Sequence, residues 1–293
     1  MKRPSALLGL LVLLLGCVPL SAGPADSVRL KVVASIFPLS EFARAVAGDR
    51  AEVSLFLPPG AEIHTWQPSA RQVLRLGQAG LFIYVGAHLE PWAQDVVRSQ
   101  AKSGLKVLEA CRGVELLHND PHIWLDFDQD IRLVEKIRSA MTELDPGSAE
   151  VFRKNAETYA DKLRRLDERY RALLGSCKQR TLVLGGHAAF GYLAARYGLS
   201  QVSLYGLSPD SEPTPKHLLE VAHLVKDQRI AAVFFESTVN PKLARLLAQE
   251  TGAEALPLND GANVTPGQFA AGLTFLNIMD DNLKSLGHGL RCR

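Results

Sequence analysis

The sequence predicts an α/β protein of two similar lobes, each a mainly parallel sheet flanked by helices, joined by one long backbone helix. Three observations carry this reading. Strand-like apolar runs alternate with capped helical segments from end to end, the pattern of parallel sheets covered by helices. The alternation occurs twice, on either side of a central stretch. That stretch, residues 146–174, contains no proline or glycine beyond its first turn, so it reads as one helix of about 29 residues, roughly 43 Å long.

In chain order, residues 1–16 are a leader, 28–144 the first lobe, 145–175 the connecting helix and 176–293 the second lobe. The first lobe opens with a strand at 30–36 (LKVVASI), followed by a helix at 41–47 that Ser40 caps and Gly48 stops. Strands at 52–57 (EVSLFL) and 81–85 (LFIYV) alternate with helices at 69–79 and 90–101. Asp145 and Pro146 supply an N-cap and a first-turn proline for the connecting helix. Its apolar stripe, Phe152, Tyr159, Leu163, Leu166, Tyr170 and Leu173, is suited to packing along both lobes. So rigid a connector should limit hinge motion. In the second lobe, a strand at 181–184 (TLVL) leads to a helix at 188–197 that ends before Gly198, then to a short strand at 202–204. Thr214-Pro215 opens the next helix, 230–235 (IAAVFF) is a buried strand, and Asn240-Pro241 starts a helix ending at Gly252. Residues 255–258 form the last strand, and Thr265-Pro266 begins a terminal helix.

Composition narrows the function. With 47% hydrophobic and 22% charged residues the chain is globular rather than disordered, and a mean hydropathy of +0.02 is too polar for a multi-span membrane protein. Lys2 and Arg3 of the leader account for the whole net charge of +2, so the rest of the chain has as many bases as acids. That balance argues against nucleic acid as a partner, because phosphate-binding surfaces need excess Lys and Arg.

The leader has a basic start and an apolar run at 6–15 that is too short to span a bilayer. Leu14-Leu15-Gly16-Cys17 resembles a lipobox, at which Cys17 is acylated and becomes the new N-terminus after cleavage; the alternative is an ordinary signal peptide cut a few residues later, as after Gly23. Either way the protein is expected to work outside the cytoplasm, in the periplasm or at the cell surface, and with Cys17 acylated it is anchored to a membrane. Three further cysteines, Cys111, Cys177 and Cys292, form no C-x-x-C pair. Sequence does not fix a disulfide among them; Cys177 and Cys292 fall in the same half, which favours that pairing.

Open parallel sheets place ligands outside the carboxyl ends of their strands. His64 follows the strand at 52–57 after Pro58-Pro59-Gly60, and His187 follows TLVL and Gly185-Gly186. His122 lies in 120–126 (DPHIWLD), Glu236 ends IAAVFF, and Asp260 follows the last strand in Asn259-Asp260-Gly261. Neutral imidazoles with one or two carboxylates suit Zn²⁺. His88 also stands at a strand end and reads as a pocket-wall or loop residue, whereas His217 and His223 point in different directions on one helix.

Five segments in order resemble motifs of the zinc and manganese substrate-binding proteins of bacterial ABC importers, the cluster A-I type that includes ZnuA- and TroA-like proteins. They are 60–69 (GAEIHTWQPS), 79–90 (AGLFIYVGAHLE), 120–126 (DPHIWLD), 187–199 (HAAFGYLAARYGL) and 235–252 (FESTVNPKLARLLAQETG). The resemblance implies a metal held between the lobes by ligands matching His64, His122 and His187. It also implies a fourth ligand, an Asp at the end of the last strand, where Asp260 stands with Gly261 after it instead of the family's Pro or Ser. Glu236 matches a family acid near the site, expected either to support a ligand from behind or to fill the fourth position itself. A histidine at position 187, where manganese-type members often carry Glu, implies the zinc type, with Mn²⁺ the less favoured cargo. The expected role is to capture Zn²⁺ and deliver it to an ABC-type membrane permease, as a monomer. The loop before His122 lacks the family's long His-rich insertion and carries only His118.

Rival readings are weaker. A zinc hydrolase is expected to show His-Glu-x-x-His or a Gly-x-Ser-x-Gly elbow, and neither occurs, so no enzymatic activity is expected. A siderophore or corrinoid binder would need aromatic or arginine-lined walls near the histidines. A manganese binder or a metal-dependent surface adhesin of the same fold stays open.

Overall fold

The computed structural model describes residues 29–209, 213–236 and 241–293; the leader, Cys17 and Asn240 lie outside the described residues. The first lobe runs β1 (Leu30–Ala34), α1 (Phe37–Ala47), β2 (Ala51–Leu55), α2 (Ala70–Leu76), β3 (Leu81–Tyr84), α3 (Ala93–Ser99) and β4 (Lys106–Glu109). Next come α4 (Phe127–Leu144) and the connecting α5 (Ala149–Gly175). The second lobe holds β5 (Thr181–Leu184), α6 (Gly191–Arg196), β6 (Ser200–Ser203), α7 (Pro215–Asp227), β7 (Ala232–Phe235), α8 (Lys242–Thr251) and β8 (Glu254–Pro257). The chain closes with α9 (Pro266–Ala270) and α10 (Phe275–Gly289).

Both sheets are wholly parallel. Their orders, β2-β1-β3-β4 and β6-β5-β7-β8, are the same once each lobe's strands are counted from its first. The two similar lobes expected from sequence are therefore present. The order reverses between β5 and β7, so the loops leaving those strands diverge and open a crevice between them, where such sheets bind ligands. His187 and Glu236 stand on these two loops.

Several elements differ from the sequence expectation. β4 is a half-buried edge strand of only KVLE, whose charged ends mask its alternation. α4 buries Leu133, Val134, Ile137, Ala140 and Met141 at helical spacing, but charged residues between them dilute the pattern. α1 begins at Phe37, not after Ser40; Pro38 occupies its first turn and the Ser40 hydroxyl donates to the Phe37 carbonyl at 2.8 Å. Asp145 ends α4 rather than capping the long helix, its N–H donating to the Met141 carbonyl, and a 3-10 turn at Pro146–Ser148 precedes α5. α3 starts late because the carboxylate of buried Glu90 turns back to accept the N–H groups of Val85 and Gly86 at 2.9 and 3.0 Å. The terminal helix divides in two, with Thr265 and Thr274 each forming a capping box.

α5 ties the lobes into one core. Phe152, Leu163, Tyr170 and Leu174 are fully buried on it, each contributing roughly 1.5–3 kcal/mol by burial. Asn155 donates to the Val46 carbonyl at the end of α1, and the Tyr170 hydroxyl donates to the Met279 carbonyl of α10 at 2.6 Å. α10 also reaches the first lobe, where Phe275 meets Phe42 edge-on at 5.2 Å between ring centroids. Cys177, just past α5, is bonded to Cys292, and Cys111 is a buried free thiol whose pKa burial pushes up to about 12. Among the described residues no helix is long and apolar enough to cross a membrane.

Candidate metal centre

Five segments meet at the seam between the lobes. The loop after β2 carries His64. It is stitched to the loop after β8 by Asn263, whose amide donates to the carbonyls of Pro58 and Ala61 at 2.9 and 2.7 Å. The Gly60 N–H adds a bond to the Val264 carbonyl at 2.9 Å. Trp124 anchors the other side, its indole N–H donating to the Asp260 carbonyl at 2.7 Å. Each of these bonds joins segments of opposite lobes, and together they bring His64 and Asp260 to the same place.

His122 and His187 are built alike. The Asp120 carboxylate accepts from the His122 backbone N–H at 2.9 Å and lies 2.6 Å from Nδ1. Glu236 does the same for His187, at 3.2 Å from the N–H and 2.7 Å from Nδ1. A carboxylate can only accept, so in its neutral form each ring carries its proton on Nδ1 and offers the Nε2 lone pair to a metal. Gly186 permits the second contact, since a Cβ there would stand 2.2 Å from Glu236 Oε1.

The two freed nitrogens face each other: His122 Nε2 and His187 Nε2 are 3.2 Å apart, and both residues are essentially inaccessible to water. Zn–N bonds of about 2.0–2.1 Å at the tetrahedral angle place neighbouring nitrogens roughly 3.3 Å apart. The His64 ring lies 5.6 and 5.3 Å from those of His122 and His187, and its Nε2 is buried without a hydrogen-bond partner among the described residues. Asp260 Oδ2 is 4.0 Å from His187 Nε2. Ligand atoms of His64, His122 and His187 lie within 4.8 Å of one another, as do those of His187, Glu236 and Asp260.

Protonation reflects this crowding. Burial, followed by the charges of His187 and His122, drives His64 down to about 3. Burial also lowers His122, outweighing the Asp120 hydrogen bond. It acts in the same direction on His187, but there the Glu236 hydrogen bond and charge prevail and raise the ring to about 9. Burial and the charge of Glu236 push Asp260 up to about 7. A dication at the centre would favour the deprotonated form of all four groups.

Of the residues expected as ligands, the structure brings together His64, His122 and His187, and His187 with Glu236 and Asp260. His88 sits exposed in the turn after β3, outside the donor groups. His217 bonds the Ser203 carbonyl and His288 pairs with Glu254 on the surface, while His118 is exposed. Asp120 is the functional residue that sequence reading missed. Its signal was available, an Asp two residues before a histidine across a proline, where an Asx turn lets its carboxylate bond that residue's backbone.

Parallel lobes on a rigid connecting helix, with a buried nitrogen-rich donor set at the seam, define the class of two-lobed metal-binding proteins. The chain belongs to the family ZnuA, zinc-uptake complex component A, periplasmic, whose match spans residues 32–289. It is 35% identical to the zinc-binding lipoprotein AdcA of Streptococcus pneumoniae, across 98% of this chain and 60% of that protein, so it spans well under the full length of that relative. It is 30% identical to the high-affinity zinc uptake system protein ZnuA of Bacillus subtilis, across 92% and 90% of the two chains. The Zn(II)-bound ZnuA-like domain of S. pneumoniae AdcA superposes with a TM-score of 0.79 at 37% identity, covering 89% of this chain and 99% of that domain.

Proposed function

We propose that this protein captures Zn²⁺ between its lobes through His64, His122, His187 and Asp260, and hands it to an ABC-type membrane importer from outside the cytoplasm. The observation that carries this is the pair of Nε2 atoms 3.2 Å apart, each aimed by a carboxylate on its Nδ1. Glu236 supports His187 from behind, since its oxygen is engaged at the nitrogen remote from the metal position. Three nitrogens and one oxygen favour Zn²⁺ over Mn²⁺ by ligand preference and by the Irving–Williams order. The protein is a carrier and not an enzyme, and Cys17 is its point of lipid attachment, to be read from the mass of the mature N-terminus. In this reading the chain divides into lobes at 28–144 and 176–293 about a connector at 145–175.

Metal analysis of protein purified without added metal, beside competition titrations with Zn²⁺ and Mn²⁺, tests the reading; equal or stronger binding of Mn²⁺ would overturn it. In the same titrations Asp260→Ala should cost more affinity than Glu236→Gln, for which a loss of about 10–100-fold is expected of a residue behind a ligand. The reverse order would transfer the fourth position to Glu236.

The pH dependence has a definite sign. His187 is protonated below about 9 in the metal-free protein and must lose its Nε2 proton to bind, so binding releases a proton and affinity rises with pH. Between pH 7 and 9 the expected rise is about tenfold per pH unit. Below about 7 it steepens, because Asp260 must also release a proton. Competition titrations from pH 6 to 9.5 measure the slope, and a flat profile between 7 and 9 would contradict this account.

A further inference from the structure

His122 and His187 belong to different lobes, so their separation depends on how firmly their carrier segments are held against each other. The short helix α6 begins four residues after His187, and of the three residues between, Ala189 and Phe190 are wholly buried. On one face of α6, one turn apart, stand Tyr192 and Arg196. The Tyr192 hydroxyl accepts from the Leu117 N–H at 3.0 Å and donates to the Asp120 carbonyl at 3.1 Å. It therefore holds the loop just before His122, including the residue that orients that ring. Arg196 holds the segment just after it. Its Nη1 donates to Asp126 and Asp128 at 2.9 and 2.8 Å, while Nε and Nη2 fork onto Asp167 of α5 at 2.8 Å each. The Tyr197 hydroxyl donates to the same Asp167 at 2.7 Å. Between His122 and Asp126 lies only the buried turn Ile123–Leu125, which passes the restraint on with little slack. At Gly191 a Cβ would stand 2.7 Å from Asp120 Oδ2, so α6 packs as close to this loop as a glycine allows.

We infer that α6 is a two-point clamp on the His122 segment, with Tyr192 and Arg196 as positioning residues that set the spacing of the His122 and His187 nitrogens. Neither touches the ion. Their role rests on the reading of the seam as a zinc site. Lysine cannot replace Arg196, because a point charge cannot fork onto Asp167 and reach Asp126 at the same time.

The test compares the parent with R196K, R196Q, Y192F and D126N in Zn²⁺ competition titrations, with Co²⁺ substituted to report ligand geometry through its visible absorption. R196Q is expected to weaken Zn²⁺ about tenfold or more, as for other groups behind a ligand, and to change the Co²⁺ band. R196K should fall between it and the parent, and R196Q combined with D126N should be no worse than R196Q alone. Y192F removes one oxygen and keeps the ring, so it serves if the arginine variants fail to fold. Folded variants that bind Zn²⁺ within twofold of the parent with an unchanged Co²⁺ band would overturn the clamp, whatever their melting temperatures. A parent that binds no Zn²⁺ would instead overturn the metal reading, and the clamp with it.

Discussion

His187→Ala is expected to weaken Zn²⁺ binding by more than a hundredfold, with His122→Ala and His64→Ala close behind. Structural zinc sites bind with roughly 10–16 kcal/mol spread over four ligands, so one ligand accounts for about 3 kcal/mol. For His187 a second penalty is added, as it is for His122, whose removal strands buried Asp120 in the same way. Removal of His187 leaves Glu236, 6% exposed, as a buried carboxylate without its main partner. The three variants should therefore differ in stability even where their binding losses are alike. His64→Ala should be the mildest, because among the described residues none bonds its Nε2 and its loop stays held by Asn263. Isothermal titration with a competing chelator, beside thermal melts without metal, separates the two effects. Three variants that bound Zn²⁺ like the parent would leave the site without a physical basis.

Loss of the Cys177–Cys292 bond is the largest stability effect expected. The bond closes a loop of 115 residues, the whole second lobe, and a loop of that size corresponds to about 4.7 kcal/mol in the chain-entropy account. Cys177→Ser with Cys292→Ser should accordingly lower Tm by roughly 10–15 °C. Zn²⁺ affinity at moderate temperature should stay within a few-fold of the parent, because Cys177 lies at the amino end of β5 and His187 beyond its carboxyl end. Calorimetry of the double variant measures the first and titration the second. Unchanged Tm would show that the segment after α5 and the segment after α10 stay together without the bond.

The expected α/β architecture could be read from local pattern because strands and helices declare themselves by period. The runs LKVVASI, TLVL and IAAVFF are apolar since both faces of a parallel sheet are covered. Elements without such contrast were missed: α4, whose apolar residues are interspersed with charges, and β4, a four-residue edge.

The site divides along the same line. His64, His187, Glu236 and Asp260 were legible as strand-end residues, and His122 through its motif, because ligand positions in this fold follow from chain direction alone. What the sequence by itself determined was therefore the two-lobed α/β fold, the helix between the lobes and the candidate donor residues, with the fourth position left between Asp260 and Glu236. The tertiary structure alone decided their arrangement. The contact between His122 and His187 spans 65 residues, that between His187 and Glu236 spans 49, and that between Trp124 and the Asp260 carbonyl spans 136. Contacts at such separations leave no period or spacing in the chain, since each depends on two segments folding independently and then meeting. For the same reason the choice among three cysteines and the grip of Tyr192 and Arg196 became visible only once the lobes were packed along α5.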